Sequence, residues 1–212
     1  KHGYHLGVAS YYPLILISKE NDSFWHHGYI YVHVKQLNVG IFVTHLSPHN
    51  LIVRRWEASQ ILEIWQDTIP HVPLLVFGDL NTLSPIDAIK HTHLPNIFME
   101  STQLSSKFLN REMEIDYSPM NILLSKLSDT LLNIRFEVDE ERSSTSVPTG
   151  LTEDYMHAAP MRLDYALSSE INTYFSWIHK TEKTWSLSDH LPLIVQKCTS
   201  DFPEDGEKKI GL

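Results

Sequence analysis

The chain is predicted to be a mixed α/β protein in which antiparallel hairpins alternate with helical crossovers around a sheet-based core. Three stretches carry that prediction. Residues Tyr29 to Lys35 and Val39 to His45 are β-branched and aromatic runs separated by the short polar turn at Gln36 to Asn38, the pattern of a hairpin. Leu51, Arg55, Ala58, Leu62, Trp65 and Ile69 recur at helical spacing behind Asn50, a residue type suited to an N-cap, and Pro70 closes the run. Leu74-Leu75-Val76-Phe77-Gly78 is then an apolar run of strand length, so strand, helix and strand follow one another as a crossover unit.

The remaining elements can be read in order. Pro13 to Ser18 is expected to be a buried strand approached by Val8-Ala9-Ser10. Gly78 lets the backbone turn where the fourth strand stops, so Asp79 and Asn81 should leave the sheet together. Taken alone, that pair is equally an Asx-turn closing an ordinary strand. Ser84-Pro85-Ile86-Asp87 has the N-cap, first-turn proline and acidic residue of a short helix ending near Lys90. Ile122 to Leu132 has helical spacing with Ser118-Pro119 as a start, and Glu140 to Gly150 is expected to be a loop. Met161 to Leu167 alternates as a strand does, with Asp164 on the face opposite Leu163 and Tyr165. Tyr174 to His179 is a further strand, and the loop Trp185 to His190 feeds the last one, Leu191 to Gln196. Residues 1–198 should therefore form one domain, followed by a polar tail over 199–212.

Composition narrows the function classes. The 212 residues carry 17 Lys and Arg against 26 Asp and Glu, a formal charge of −9, and no dense basic stripe tracks a polyanion. Extended gripping of duplex DNA is disfavoured, although carboxylates that hold a cation count as negative in that sum. Cys198 is the single cysteine, which leaves no internal disulfide framework and does not fix a compartment. No apolar run approaches the ~20 residues of a membrane-spanning helix. Thirteen histidines, among them His26/His27 and His91/His93, invite a zinc reading, but none stands in a firm ligand pattern such as two histidines one helical turn apart.

Four polar groupings fall at strand ends: Thr44-His45-Leu46, Gly78-Asp79-Leu80-Asn81, Arg162-Leu163-Asp164-Tyr165 and Ser188-Asp189-His190-Leu191-Pro192. Each has an ordinary structural explanation by itself, as a turn, a cap or a cross-strand pair. In this order, the four resemble the endonuclease/exonuclease/phosphatase superfamily of DNase I-like nucleases, sphingomyelinases and inositol polyphosphate phosphatases. The resemblance implies a four-layered αββα sandwich, two mixed β-sheets flanked by helices, with the active site at one rim. It also implies hydrolysis of a phosphate ester assisted by Mg²⁺ or Mn²⁺. By that resemblance His190 is the general base or hydrogen-bond donor, and Asp164 the carboxylate that orients it. Asp79 would position or deprotonate water, Asn81 would contact a phosphate oxygen or the metal, and His45 would donate to a non-bridging oxygen. Asp189 would be the metal-side carboxylate, since hard cations prefer oxygen. Arg162 and Tyr165 are expected to be structural flanks.

One departure from the pattern affects activity. Family members begin with a strand bearing Asn and a later strand ending in a Glu that ligates metal, and neither precedes Gly7-Val8-Ala9-Ser10 here. The chain is therefore expected to be a piece of a longer protein, weakly active or inactive by itself. A small phosphoester or lipid head group is the favoured substrate. The alternatives are a non-specific endonuclease or exonuclease on nucleic acid and a catalytically dead binding module of the same fold, with a zinc hydrolase built on the scattered histidines behind them.

Overall fold

The computed structural model describes residues 5–21, 24–133, 142–153, 157 and 159–198. The expected polar tail over 199–212 lies outside them. Among the described residues, nine strands form two sheets. The larger has the order β1-β2-β3-β4-β7-β5 and the smaller β6-β8-β9. Here β1 is Ile15–Glu20, β2 Tyr29–Val34, β3 Val39–Thr44, β4 Leu74–Asp79, β5 Ser128–Asp129, β6 Arg142–Ser143, β7 Asp164–Ser168, β8 Tyr174–His179 and β9 Leu193–Lys197. Only β3 and β4 pair in parallel, and they are the two strands joined by helix α1 (Leu51–Thr68). That agrees with the crossover, because parallel neighbours need a long connection. The larger sheet is mixed, and both described pairings of the smaller sheet are antiparallel.

Alternation along the strands sorts the core into layers. Tyr29, Tyr31, Phe42, Leu74, Val76, Tyr165 and Leu167 face one way, against Ala58, Ile61 and Leu62 of α1 and Met120 and Leu123 of α4 (Ser118–Leu124). Val34, Val39, Ile41, Leu75 and Phe77 face the other way and meet Tyr174 and Val195 of the smaller sheet. Among the described residues, helices, larger sheet and smaller sheet thus stack as three of the four layers expected. A third apolar cluster joins α2 (Leu94–Met99) and α3 (Thr102–Phe108) to Val147, Met161 and Leu163 at one end of the sheets. Among the described residues, no helix is long and apolar enough to cross a membrane.

Several expectations shift in detail. The first strand is an edge, paired only with β2 among the described residues, and Ile15 and Leu16 are exposed rather than buried. An apolar run cannot by itself tell an edge strand from a central one. Asn50 does cap α1, its Oδ1 accepting from the N–H groups of Ile52 and Val53. The buried stripe of that helix, however, includes Arg54 and Glu57, while Arg55 lies at the flank. Arg55 instead reaches Asp116 Oδ2 at 2.6 Å. Ser84 caps the 3-10 helix Pro85–His91. The helix expected over Ile122 to Leu132 stops at Leu124, because Ser128 and Asp129 pair with β7. The strands expected from Met161 and Leu191 begin at Asp164 and Leu193, and Trp185 closes the one-turn helix α5 (Glu182–Trp185).

Candidate active site

The site is built at one rim of the sandwich, where β3 and β4 end side by side. Gly78 sits at φ +149°, and a Cβ there would lie 1.8 Å from the Thr44 carbonyl oxygen, so only glycine lets the two strand ends approach this closely. The loops beyond are then stitched together. Leu46 N–H donates to Asp79 O at 3.0 Å, Asn81 Nδ2 donates to Leu46 O at 3.0 Å, and Leu80 N–H donates to Leu163 O at 2.8 Å.

Asp79 and Asp164 are direct cross-strand partners in the antiparallel pairing of β4 with β7. Side chains paired in this way project from one face. Tyr165 and Leu167 belong to the helix-facing core, so Asp164, like Asp79, lies on the side of the second sheet. Asp79 is held from three directions: Asn81 N–H to Oδ1 at 2.8 Å, Asn81 Nδ2 to Oδ2 at 3.2 Å, and His45 Nε2 to Oδ2 at 3.3 Å. Asn81 adopts the left-handed conformation, φ +48°, that closes this turn. Burial pushes the Asp79 carboxyl up, but the His45 hydrogen bond and the charges of His45, His190 and Lys107 outweigh it and hold the pKa at about 2.

His190 arrives from the loop before β9. Its Nδ1 lies 2.6 Å from Asp164 Oδ2, and since a carboxylate only accepts, the ring donates from Nδ1 and leaves Nε2 for other partners. Burial alone would lower the His190 pKa. The hydrogen bond and charge of Asp164, with Asp79 and Asp189 adding to it, raise it instead to about 9. Asp189 is exposed beside it and accepts from Ser188 Oγ at 3.1 Å.

All five expected catalytic side chains therefore converge: His45, Asn81 and Asp79 through direct hydrogen bonds, Asp164 through its pairing with Asp79, and His190 through Asp164. Arg162 and Tyr165 are structural. The buried Arg162 guanidinium donates to both Asp129 oxygens at 3.0 and 2.6 Å and to Asp87 at 2.9 Å, and Tyr165 Oη donates to Arg162 O at 2.7 Å. His49 takes no hydrogen bond within the cluster and packs edge-on to His26, ring centroids 5.9 Å apart.

Four further groups shape the site. Ser146, fully buried in the stretch expected to be a loop, accepts Leu191 N–H on its carbonyl oxygen at 2.8 Å and Leu163 N–H on its Oγ at 2.9 Å, tying the His190 loop to the start of β7. His27 stacks on His45 with ring centroids 4.0 Å apart; burial and then His45 and His26 lower its pKa to about 4, so it is neutral at physiological pH. Glu57 and Arg54, on the buried face of α1, fix the loop after β3. Glu57 accepts from Ser47 N–H at 2.7 Å and His26 N–H at 2.8 Å, and Arg54 Nη1 donates to Ser47 O at 2.7 Å. Burial raises the Glu57 pKa. The adjacency of His26/His27 was a sequence signal for one of these; a serine within a Ser/Thr-rich stretch gave none for Ser146.

A hard cation needs oxygen ligands and is commonly held by one or two carboxylates with waters and substrate phosphate. Asp189 fits that minimal role, being exposed and joined only to its neighbour Ser188. Glu57 does not, because both its oxygens already accept backbone N–H groups.

No protein-family model matches the sequence, and no curated protein matches it either. Solved structures do. The chain is similar in fold to an AP endonuclease from Archaeoglobus fulgidus, with a TM-score of 0.51 and 16% identity over 81% of this chain and 65% of that one. It is also similar to the 3′ phosphatase NExo from Neisseria, solved bound to product DNA hairpin, with a TM-score of 0.53 and 15% identity over the same shares. An endonuclease/exonuclease/phosphatase family protein from Leptotrichia buccalis C-1013-b aligns at a TM-score of 0.48, with 17% identity over 81% of this chain and 53% of that one. This chain spans less than two thirds of the length of each. The architecture is thus the DNase I-like fold of endonuclease/exonuclease/phosphatase proteins.

Proposed function

We infer that the chain carries the reacting residues of a divalent-metal-dependent phosphoesterase of the endonuclease/exonuclease/phosphatase family. The single observation behind this reading is the convergence of His45, Asp79, Asn81, Asp164 and His190 on one rim, through side-chain hydrogen bonds and the cross-strand pairing of Asp79 with Asp164. Two ionised carboxylates flanking a cationic imidazole suit a reaction in which water attacks phosphorus and negative charge grows on the phosphate oxygens.

The electrostatics assign separate tasks. With a pKa near 9, His190 is protonated at neutral pH and acts as a hydrogen-bond donor to a phosphate oxygen rather than as a base. Asp164 fixes its ring and its charge. Asp79, ionised and weakly basic, orients the attacking water through whichever oxygen lone pairs its three donors leave open. His45 donates to Asp79 and would donate to a non-bridging phosphate oxygen once substrate is bound. Asp189 is the carboxylate that would hold Mg²⁺ or Mn²⁺, and a bound cation would neutralise phosphate charge.

Substrate follows less directly. The acidic chain and the absence of a basic stripe support a compact phosphoester. The 3′ phosphatase of similar fold was solved with a product DNA hairpin and the other neighbour is named an AP endonuclease, which makes a nucleic-acid end the second reading. Hydrolysis of bis-p-nitrophenyl phosphate with Mg²⁺ or Mn²⁺ tests the reaction class. Whatever metal-dependent rate this chain supports should fall at least about 100-fold in His190→Ala; a rate unchanged in that variant contradicts the proposal. A panel of oligonucleotides, sphingomyelin and inositol phosphates then separates the substrates.

A further inference from the structure

Asp189 offers oxygen to a hard cation, but the two side chains grouped with it are imidazoles. One ligand atom each from His157, Asp189 and His190 lies within 4.8 Å of the others, and among the described residues this is the group of that size able to close on one ion. The His157 and His190 rings meet edge to face with centroids 4.9 Å apart. Because His190 Nδ1 is engaged by Asp164 at 2.6 Å, the nitrogen left to coordinate is Nε2. A carboxylate behind one ligating imidazole is the arrangement that fixes tautomer and raises ligand basicity in metal sites. Two imidazoles and one carboxylate also form a three-ligand set that leaves a fourth position open.

We propose that His157, Asp189 and His190 form a binding site for a borderline divalent ion of the zinc class, with His190 ligating through Nε2 and Asp164 as its outer partner. Imidazole-rich sets favour zinc-class ions over Mg²⁺, which demands oxygen. Ligands at ~2.0–2.2 Å from a tetrahedral ion stand roughly 3.5 Å apart, so a group whose atoms lie within 4.8 Å of one another needs to contract by little more than about an ångström at most. The exposed Asp189 side chain supplies that movement. The site does not rest on the phosphoesterase reading, since it is defined without substrate. An ion bound there occupies the same Nε2 that the proposed reaction uses, so binding and hydrolysis would compete for one atom.

Co²⁺ is the probe, titrated into the whole chain without substrate and followed by its visible absorption. The expected result is saturable binding of one Co²⁺, displaced by Zn²⁺ and not by millimolar Mg²⁺. His157→Ala and Asp189→Ala should each weaken binding by about tenfold or more, while His49→Ala, in the separate His26–His49 contact, should leave it unchanged. Asp189 is exposed, so its variant serves if His157→Ala fails to fold, as judged by circular dichroism. Absence of saturable binding, unchanged affinity in Asp189→Ala or a folded His157→Ala, or loss on His49→Ala alone overturns the assignment. Hydrolysis is not read in this experiment, so its failure and that of the phosphoesterase reading remain distinct.

Discussion

Replacing Asp164 by Asn keeps the shape of the group beside His190 and removes its charge. In the native site Asp164 is the largest of the influences that raise the His190 pKa from its ordinary 6.5 to about 9, and burial opposes it. With that charge gone, burial dominates and the pKa should return to 6.5 or below. A fall of about 2.5 units corresponds to roughly 3 kcal/mol of differential interaction. At pH 7.5 the ring would pass from about 97% to about 10% protonated. The sign also fixes a stability effect. A histidine whose pKa is raised on folding contributes stability that is fully present below pH 6.5 and lost as pH rises through about 9. Native protein should therefore weaken across that window, and Asp164→Asn should not show the same slope. The assay is a ¹H–¹³C NMR titration of the histidine rings, with urea melts at pH 6 and pH 9. A His190 pKa near 9 retained in Asp164→Asn would refute the pairing as the source of the shift.

Other perturbations follow from the same contacts. Gly78→Ala should cost more than about 3 kcal/mol in urea denaturation, because its Cβ would overlap the Thr44 carbonyl at an unfavourable φ; a loss under 1 kcal/mol would show that β3 and β4 can separate there. Arg162→Met strands Asp129 as a buried carboxylate without its counter-charge and leaves Asp87 with the half-exposed Lys90 alone, and should cost about 3–5 kcal/mol, with Arg162→Lys recovering little because it lacks the fork that reaches both. Ser146→Ala removes a hydroxyl that accepts from the N–H groups of Leu163 and Asp164, so it should cost about 1–2 kcal/mol and broaden the His190 resonances; unaltered His190 spectra would mean the loop is set elsewhere.

Legibility in the sequence followed the range of the interactions. The hairpin, the cap at Asn50 and the strand stopping at Gly78 depend on near neighbours, and they were readable from local pattern. The status of β1 was not, since an apolar run gives no sign of which strands flank it. Arg54 and Glu57 were hidden because each is buried by hydrogen bonds that reach segments far along the chain, Lys107 O for Arg54 and His26 N–H for Glu57, which no helical stripe of apolar residues anticipates. The helix after Ser118 ended early for a similar reason: pairing with β7 claimed Ser128 and Asp129 over local propensity. At the site, the motifs named His45, Asp79, Asn81, Asp164 and His190; His27 was visible as half of an adjacent histidine pair but gained its place by stacking, while Ser146 and His157 entered only through folding, by bridging and approach.

The central claim is that residues far apart in sequence surround a space fitted to one phosphate group. Inorganic phosphate titrated with Mg²⁺ while the histidine side chains are observed by NMR tests it without requiring turnover. The imidazole resonances of His45 and His190 should move together along one saturating isotherm, and both responses should be lost in Asp189→Ala. Shifts confined to exposed histidines such as His49, or independent responses of His45 and His190, would contradict it.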